Sequence, residues 1–196
     1  GTFHAGCMAR DELAPQFPER KILCVDSLSA TGGEYLLVDK AREMRDNGCS
    51  AEVTAAAIEE MRLHVIHLVT VDDLGHLHRG GRLSKTSAVV GGLLGIKPVV
   101  TLENGAVTMI GKARGSKQGN NLLVQKVRES GGIDFSLPIL LGYTGLSDAL
   151  LQKYVADSAA LWRDHCGSLE QTLLCSVIGT HTGPGVVAVA FFKNGV

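Results

Sequence analysis

An α/β architecture, with a parallel sheet early in the chain and a mixed sheet after it, is predicted by three features of the sequence. Apolar strand-like runs alternate with helical stretches through the first third, the pattern of βαβ units. Asn104-Gly105 separates two β-rich runs, the strongest short-range hairpin signal, because a type I′ turn needs positive φ at both central residues. The interior must be aliphatic, since 45% of residues are hydrophobic and only 5% aromatic. Glycine contributes 24 of 196 residues, about 12% where ~7% is usual, so tight turns should join short elements.

Each element follows from local pattern. The chain opens into a helix over residues 7–13. Residues 21–25 (KILCV) are a short apolar run between Pro18 and Asp26-Ser27, a buried strand ending in a polar turn. Over 35–47, Leu36, Leu37, Ala41 and Met44 share a helical face, and Gly48 supplies the stop. Ser50 is placed to cap a helix over 51–65, whose stripe is Val53, Ala57, Ile58 and Met61. Residues 67–71 (HLVTV) form the next strand, closed by Asp72-Asp73. A helix over 84–94 is opened by the turn Gly80-Gly81-Arg82 and stopped by Gly95. The hairpin takes 97–102 and 106–110 as its strands. A helix over 118–130 carries Leu122, Leu123 and Val127 and ends at Gly131-Gly132. Then come a strand over 137–143, one long helix over 147–166, and two closing strands, 172–178 and 186–192, around the glycine-rich 179–185. A domain boundary is expected near 72–84, although no linker composition marks it.

Charge and cysteine use narrow the function. With 19 Lys+Arg against 20 Asp+Glu, and a sequence pI near 6.7, the chain lacks the basic excess that phosphate neutralisation requires, so nucleic acid is not the expected partner. Five scattered cysteines without a CxxC pair fit a reducing cytoplasm and make neither a zinc knuckle nor a dithiol motif. The sequence contains no run of roughly 18 apolar residues and opens on no charged n-region with an apolar h-region. Gly1-Thr2-Phe3 leads straight into a helix without an initiator Met, which suggests a fragment or a processed chain.

Three polar clusters follow apolar runs, where open α/β sheets gather their ligands. In the first, residues 26–33 (DSLSATGG), Ser27 and Ser29 either line an anion or carboxylate site or cap the next helix. The second, residues 72–85, combines Asp72, Asp73, His76, His78, Arg79, Arg82 and Lys85. It is either an Arg/Lys anion patch at a helix N-terminus or a solvated loop. Metal ligation is not expected, because His76 and His78 share a face only in an extended segment and neither HExxH nor HxxEH is present. In the third, residues 178–185 (IGTHTGPG), His181 either presents its ring nitrogens to a ligand or merely sits beside a Gly-Pro-Gly turn. GxSxG, Walker A and GxGxxG signatures are absent.

Taken in order, these segments resemble the DegV family of bacterial fatty-acid-binding proteins. The matching pieces are Val25-Asp26-Ser27, Val71-Asp72-Asp73-Leu74, Arg79-Gly80-Gly81-Arg82-Leu83-Ser84-Lys85 and Gly95-Ile96-Lys97-Pro98-Val99-Val100. They continue through Asn104-Gly105, Lys112-Ala113-Arg114-Gly115 and Gly179-Thr180-His181-Thr182-Gly183-Pro184-Gly185. Gly1-Thr2-Phe3 resembles the middle of the family's Ser-Gly-Thr-aromatic helix opening, so the chain corresponds to roughly the last two-thirds of a member. The family's earlier Thr- and Ser-bearing segments have no counterpart.

The resemblance implies two α/β domains, the remainder of the first over 1–75 and the second, with a mixed sheet and hairpin, over 76–196. It implies a long-chain fatty acid between them with its carboxylate at His181, and Ser27, Thr180 and Thr182 as further pocket groups. It also implies a fatty acid kinase as partner, with Arg82 and Arg114 on the face that meets it and Lys85 beside them. Residues 88–94 (AVVGGLL) offer small and branched groups for the slot, or plain core. On this reading the protein is a cytoplasmic carrier with no catalytic residues, metal or cofactor beyond the bound fatty acid. The competing expectation is an acyl- or phosphoester hydrolase or transferase using His181 with Asp72 or Asp73.

Overall fold

Alternation along strands decides the layers. The computed structural model describes residues 1–83, 95–165 and 167–195. The helix expected over 84–94, with Lys85 and the 88–94 stretch, lies outside the described residues. The strands are Val65–Thr70 (β1), Ile96–Glu103 (β2), Ala106–Arg114 (β3), Leu140–Tyr143 (β4), Glu170–Leu173 (β5) and Val187–Phe192 (β6). They form one sheet in the order β3-β2-β1-β6-β4-β5. Only β4 and β5 pair in parallel; the other pairs are antiparallel. Every residue of β6 is buried, and its side chains divide by period two between the faces.

One face takes Val187, Val189 and Phe191 with Leu68 and Leu141. It is covered by helices Gly115–Glu129 (α5), Ala149–Asp157 (α6) and Ala159–Trp162 (α7), through Leu123, Val127, Leu151, Tyr154 and Trp162. The other face is shared by two clusters. Thr31–Asp46 (α2) and Ala51–Met61 (α3) pack Leu36, Leu37 and Ile58 on Val65, Leu140, Ala190 and Phe192. Leu74–Arg79 (α4) packs Leu74 and Leu77 on Val71, Val100, Leu174, Val186 and Ala188. Thr2–Leu13 (α1) precedes these, and Ser176–Thr182 (α8) joins β5 to β6.

Several expectations hold. Asn104 and Gly105 have φ of 52° and 76°, as the hairpin turn requires. Ser50 caps α3, its hydroxyl accepting from Val53 N–H at 3.3 Å.

Others are corrected. Residues 21–25 carry no ladder, so no parallel sheet forms in the first third of the described chain; Leu23 and Val25 instead line a groove with Leu37, Ala41 and Ile58. β1, which precedes the expected division at residue 75, lies inside the mixed sheet between β2 and β6. The long helix breaks at Ser158, whose hydroxyl donates to Tyr154 O at 2.6 Å and accepts from Trp162 Nε1 at 2.7 Å. Its last expected residue, Cys166, is outside the described residues. The closing strands do not pair, because β4 stands between β5 and β6, and the second half of the expected 172–178 strand begins α8. Ser27 does not cap α2: Ala30 occupies that position, while Ser27 Oγ accepts from Ser29 N–H at 3.2 Å in a local turn.

His67, on β1, is 4% exposed and neither ring nitrogen has a partner. Its ring lies against Gly33 of α2, where a Cβ would overlap Nε2. Burial pushes its pKa down to about 4, outweighing the Ala30 backbone, which favours the charged ring. A histidine depressed in this way stabilises the fold fully above its unfolded value near 6.5, and that stability is lost as pH falls from there toward 4. Urea unfolding at pH 7 and pH 5 should therefore differ by about 2 kcal/mol, and His67→Leu should flatten the difference. An unchanged difference in the variant would remove His67 as its source.

Candidate functional site

α4 begins where β1 ends. Asp73 supplies its N-cap, accepting from Gly75 N–H at 2.8 Å, and Leu74 and Leu77 turn inward. His76 and His78 thus lie on a helix, where an i,i+2 pair points to different sides. The helix closes through Gly80 into Gly81, whose φ is +70°. Arg82 Nη1 donates back to Gly80 O at 2.8 Å.

α8 reaches the same end of the sheet from the other direction. β1, β4 and β5 all terminate there and β6 starts there. Ile178 packs on the α4 cluster, and the helix stops at Gly183, φ +77°. The loop beyond is pinned by buried Thr144: its hydroxyl donates to Gly183 O at 2.7 Å and accepts from Val186 N–H at 3.1 Å, while its carbonyl accepts from Gly185 N–H at 3.1 Å. Asp72, ion-paired with Lys97, lies against Gly185, its Oδ2 2.6 Å from where a Cβ would stand.

His181, in the last turn of α8, is half-buried. Its Nδ1 is buried without a partner and faces Gly80, where a Cβ would overlap it. The relation is returned by His76, whose Cδ2 lies 2.6 Å from the Cβ position of Gly183. Ile178, one turn before His181, packs against an aliphatic core of Leu74, Leu77, Leu174, Val186 and Ala188, with Val69 and Met109 partly buried beside it. Leu174, Ala188 and Val69 also line a small cavity beside His67 and Thr31 with room for about one water.

The other expected pocket groups are differently employed. Thr180 donates to Ser176 O and Thr182 to Ile178 O, each at 2.9 Å, so both hydroxyl protons are committed to helix carbonyls. Ser27 lines the groove of about 520 Å³ between residues 21–25 and α2 and α3, together with Lys21 and Arg45; His181 belongs instead to the α4–α8 contact. Arg82 and Arg114 are exposed, the second at the end of β3 where its N–H donates to Gln118 Oε1 at 3.3 Å. Lys85 is outside the described residues. Among the described residues no three His, Cys, Asp or Glu side chains are grouped to hold a metal ion, and no helix is long and apolar enough to cross a membrane. Sequence reasoning missed Thr144 and the use made of Gly80, and weighed His76 only as part of the 72–85 cluster. The Gly80-Gly81 pair was the available signal, read only as a turn.

Comparison with known proteins shows the family and the fold. A sequence model described as "Uncharacterised protein, DegV family" matches residues 1–194. A DegV domain-containing protein of Lactococcus lactis is 33% identical over 191 residues, covering 96% of this chain and 64% of its own length. Among solved structures, a DegV family protein of Thermus thermophilus, described for its fatty acid binding, is 28% identical with a TM-score of 0.76, covering 93% of this chain and 64% of that one. The Streptococcus pneumoniae Fatty Acid Kinase (Fak) B3 protein, loaded with linoleic acid, superposes with a TM-score of 0.85 at 24% identity, covering 99% of this chain and 68% of that one. At that identity the likeness speaks for the fold. The chain spans 64% to 66% of the length of the first curated relatives it matches.

Proposed function

Because the chain belongs to the DegV family, we propose that it holds a long-chain fatty acid without transforming it and presents the carboxylate to a fatty acid kinase for phosphorylation to an acyl phosphate. The observation that carries this reading is His181: a half-buried imidazole at the α4–α8 contact, one turn past Ile178 of an aliphatic core, with no carboxylate partner among the described residues. A buried methylene contributes about 0.8 kcal/mol, so an acyl chain binds largely by its own hydrophobicity. The carboxylate is the part that must not be left unpaired, and a ring N–H of His181 supplies its donor. Thr180 and Thr182 would join it only by turning their hydroxyl protons away from backbone carbonyls, and Ser27 lines the groove of α2 and α3 instead. The fatty-acid binding described for the Thermus thermophilus relative supports the ligand class; the name of the Streptococcus pneumoniae protein supports the class of partner.

The hydrolase alternative finds no support in the same residues. An acid–base dyad needs a carboxylate on the histidine, whereas Asp72 is paired with Lys97 and Asp73 caps α4. A carrier role is the better fit.

Organic extracts of the purified chain, analysed by mass spectrometry, should contain fatty acid, and oleate should bind by calorimetry. His181→Ala should weaken oleate about tenfold, and neither protein should turn over p-nitrophenyl palmitate. Turnover that disappears in His181→Ala would overturn the carrier reading. The partner surface is tested separately with Arg114→Glu: kinase-dependent acyl phosphate formation should fall about tenfold while oleate affinity stays within about twofold. Undiminished transfer would remove Arg114 from the docking face.

A further inference from the structure

We infer that Gly80 is the positioning residue for His181: its bare backbone is the seat on which the imidazole lies, so that Nδ1 faces the protein and Nε2 faces the ligand. The inference rests on the proposed role of His181 in receiving a carboxylate and says what holds the ring in the pose that role needs.

Backbone conformation does not demand glycine at position 80. Its φ of −76° and ψ of −1° lie where any L-residue can go. Space demands it: a Cβ there would overlap His181 Nδ1, and would stand 3.3 Å from His181 Cε1 and 3.2 Å from His76 O. Gly81 is the reverse case, with φ +70° and nothing within 4 Å of its Cβ position. The two adjacent glycines therefore serve different ends, the first to admit a ring and the second to make the turn.

The chemistry at the ring follows. Nδ1 is sealed and has no partner. A carboxylate only accepts hydrogen bonds, so the nitrogen that meets it carries the proton. Nδ1 then keeps its lone pair toward Gly80, and no N–H is buried against carbon. Two further contacts keep the seat in place. Arg82 Nη1 donates to Gly80 O, and His76, one turn before Gly80, lies on Gly183 at the end of α8.

The test uses the full chain with ¹⁵N-labelled histidine, comparing Gly80→Ala with Gly81→Ala. Two-bond ¹H–¹⁵N correlation reads which ring nitrogen carries the proton, and calorimetry reads oleate binding. In the parent, His181 should show its proton on Nε2. Gly80→Ala should shift that signature and weaken oleate about tenfold. Gly81→Ala strains the turn without touching the ring, and should leave the signature unchanged and oleate affinity within about twofold. An unchanged signature and affinity in Gly80→Ala would overturn the inference. If Gly80→Ala does not fold, adding His181→Ala should restore folding by removing the ring from the new Cβ, and failure to do so also overturns it. The fatty-acid reading fails separately, if His181→Ala leaves oleate binding unchanged; the ligand-free signature of Gly80→Ala still reports on the seat in that case.

Discussion

A ring can take the place where another residue's side chain would begin only if that residue has no Cβ, and this constraint organises the end of the sheet where α4 and α8 meet. His181 occupies the space that a side chain at Gly80 would need, and His76 the space at Gly183. Each helix thus supplies one ring and, at the glycine that ends it, receives one. The same device seats His67 on Gly33 and Asp72 against Gly185. The glycine excess, read from composition as a supply of turns, is in part a supply of such seats.

The sheet makes the arrangement possible by bringing distant segments to one edge. β1 delivers α4 at its carboxyl end, while β6 begins beside it after α8 has crossed from β5. Thr144, just past the end of β4, then ties the Gly183–Val186 backbone down with four hydrogen bonds. His181, His76 and Thr144 gather at this rim, and the α4 cluster that Ile178 packs against is aliphatic. An acyl chain with one charged end asks for both, an apolar surface and one well-held donor.

How much of this was legible depended on whether local sequence or tertiary partners decide the outcome. The hairpin was legible because Asn104 and Gly105 are chosen by turn geometry alone, and so was α3, whose cap is local. α8 was not: Val177, Ile178, Thr180 and Thr182 are β-branched and Gly179 is a poor helix former, so the helix stands on the packing of Ile178 and on Gly183 as its stop. Residues 21–25 have a strand's composition, but composition cannot supply a neighbour to pair with. His181 was legible as a candidate from its glycine-rich surroundings. Its seat on Gly80, about a hundred residues earlier in the chain, was not, because no local rule links two residues that meet only through the sheet.

The central claim is that the carboxylate of a bound fatty acid comes to rest at His181, at the α4–α8 contact. Titration of the chain with oleate labelled with ¹³C at the carboxyl carbon, followed by NMR, tests this most directly. The account predicts saturable perturbation of the labelled carboxyl resonance together with the His181 ring nitrogens, both lost in His181→Ala. Perturbation centred instead on Lys21 and Arg45, at the groove lined by α2 and α3, with the His181 nitrogens unmoved, would contradict it.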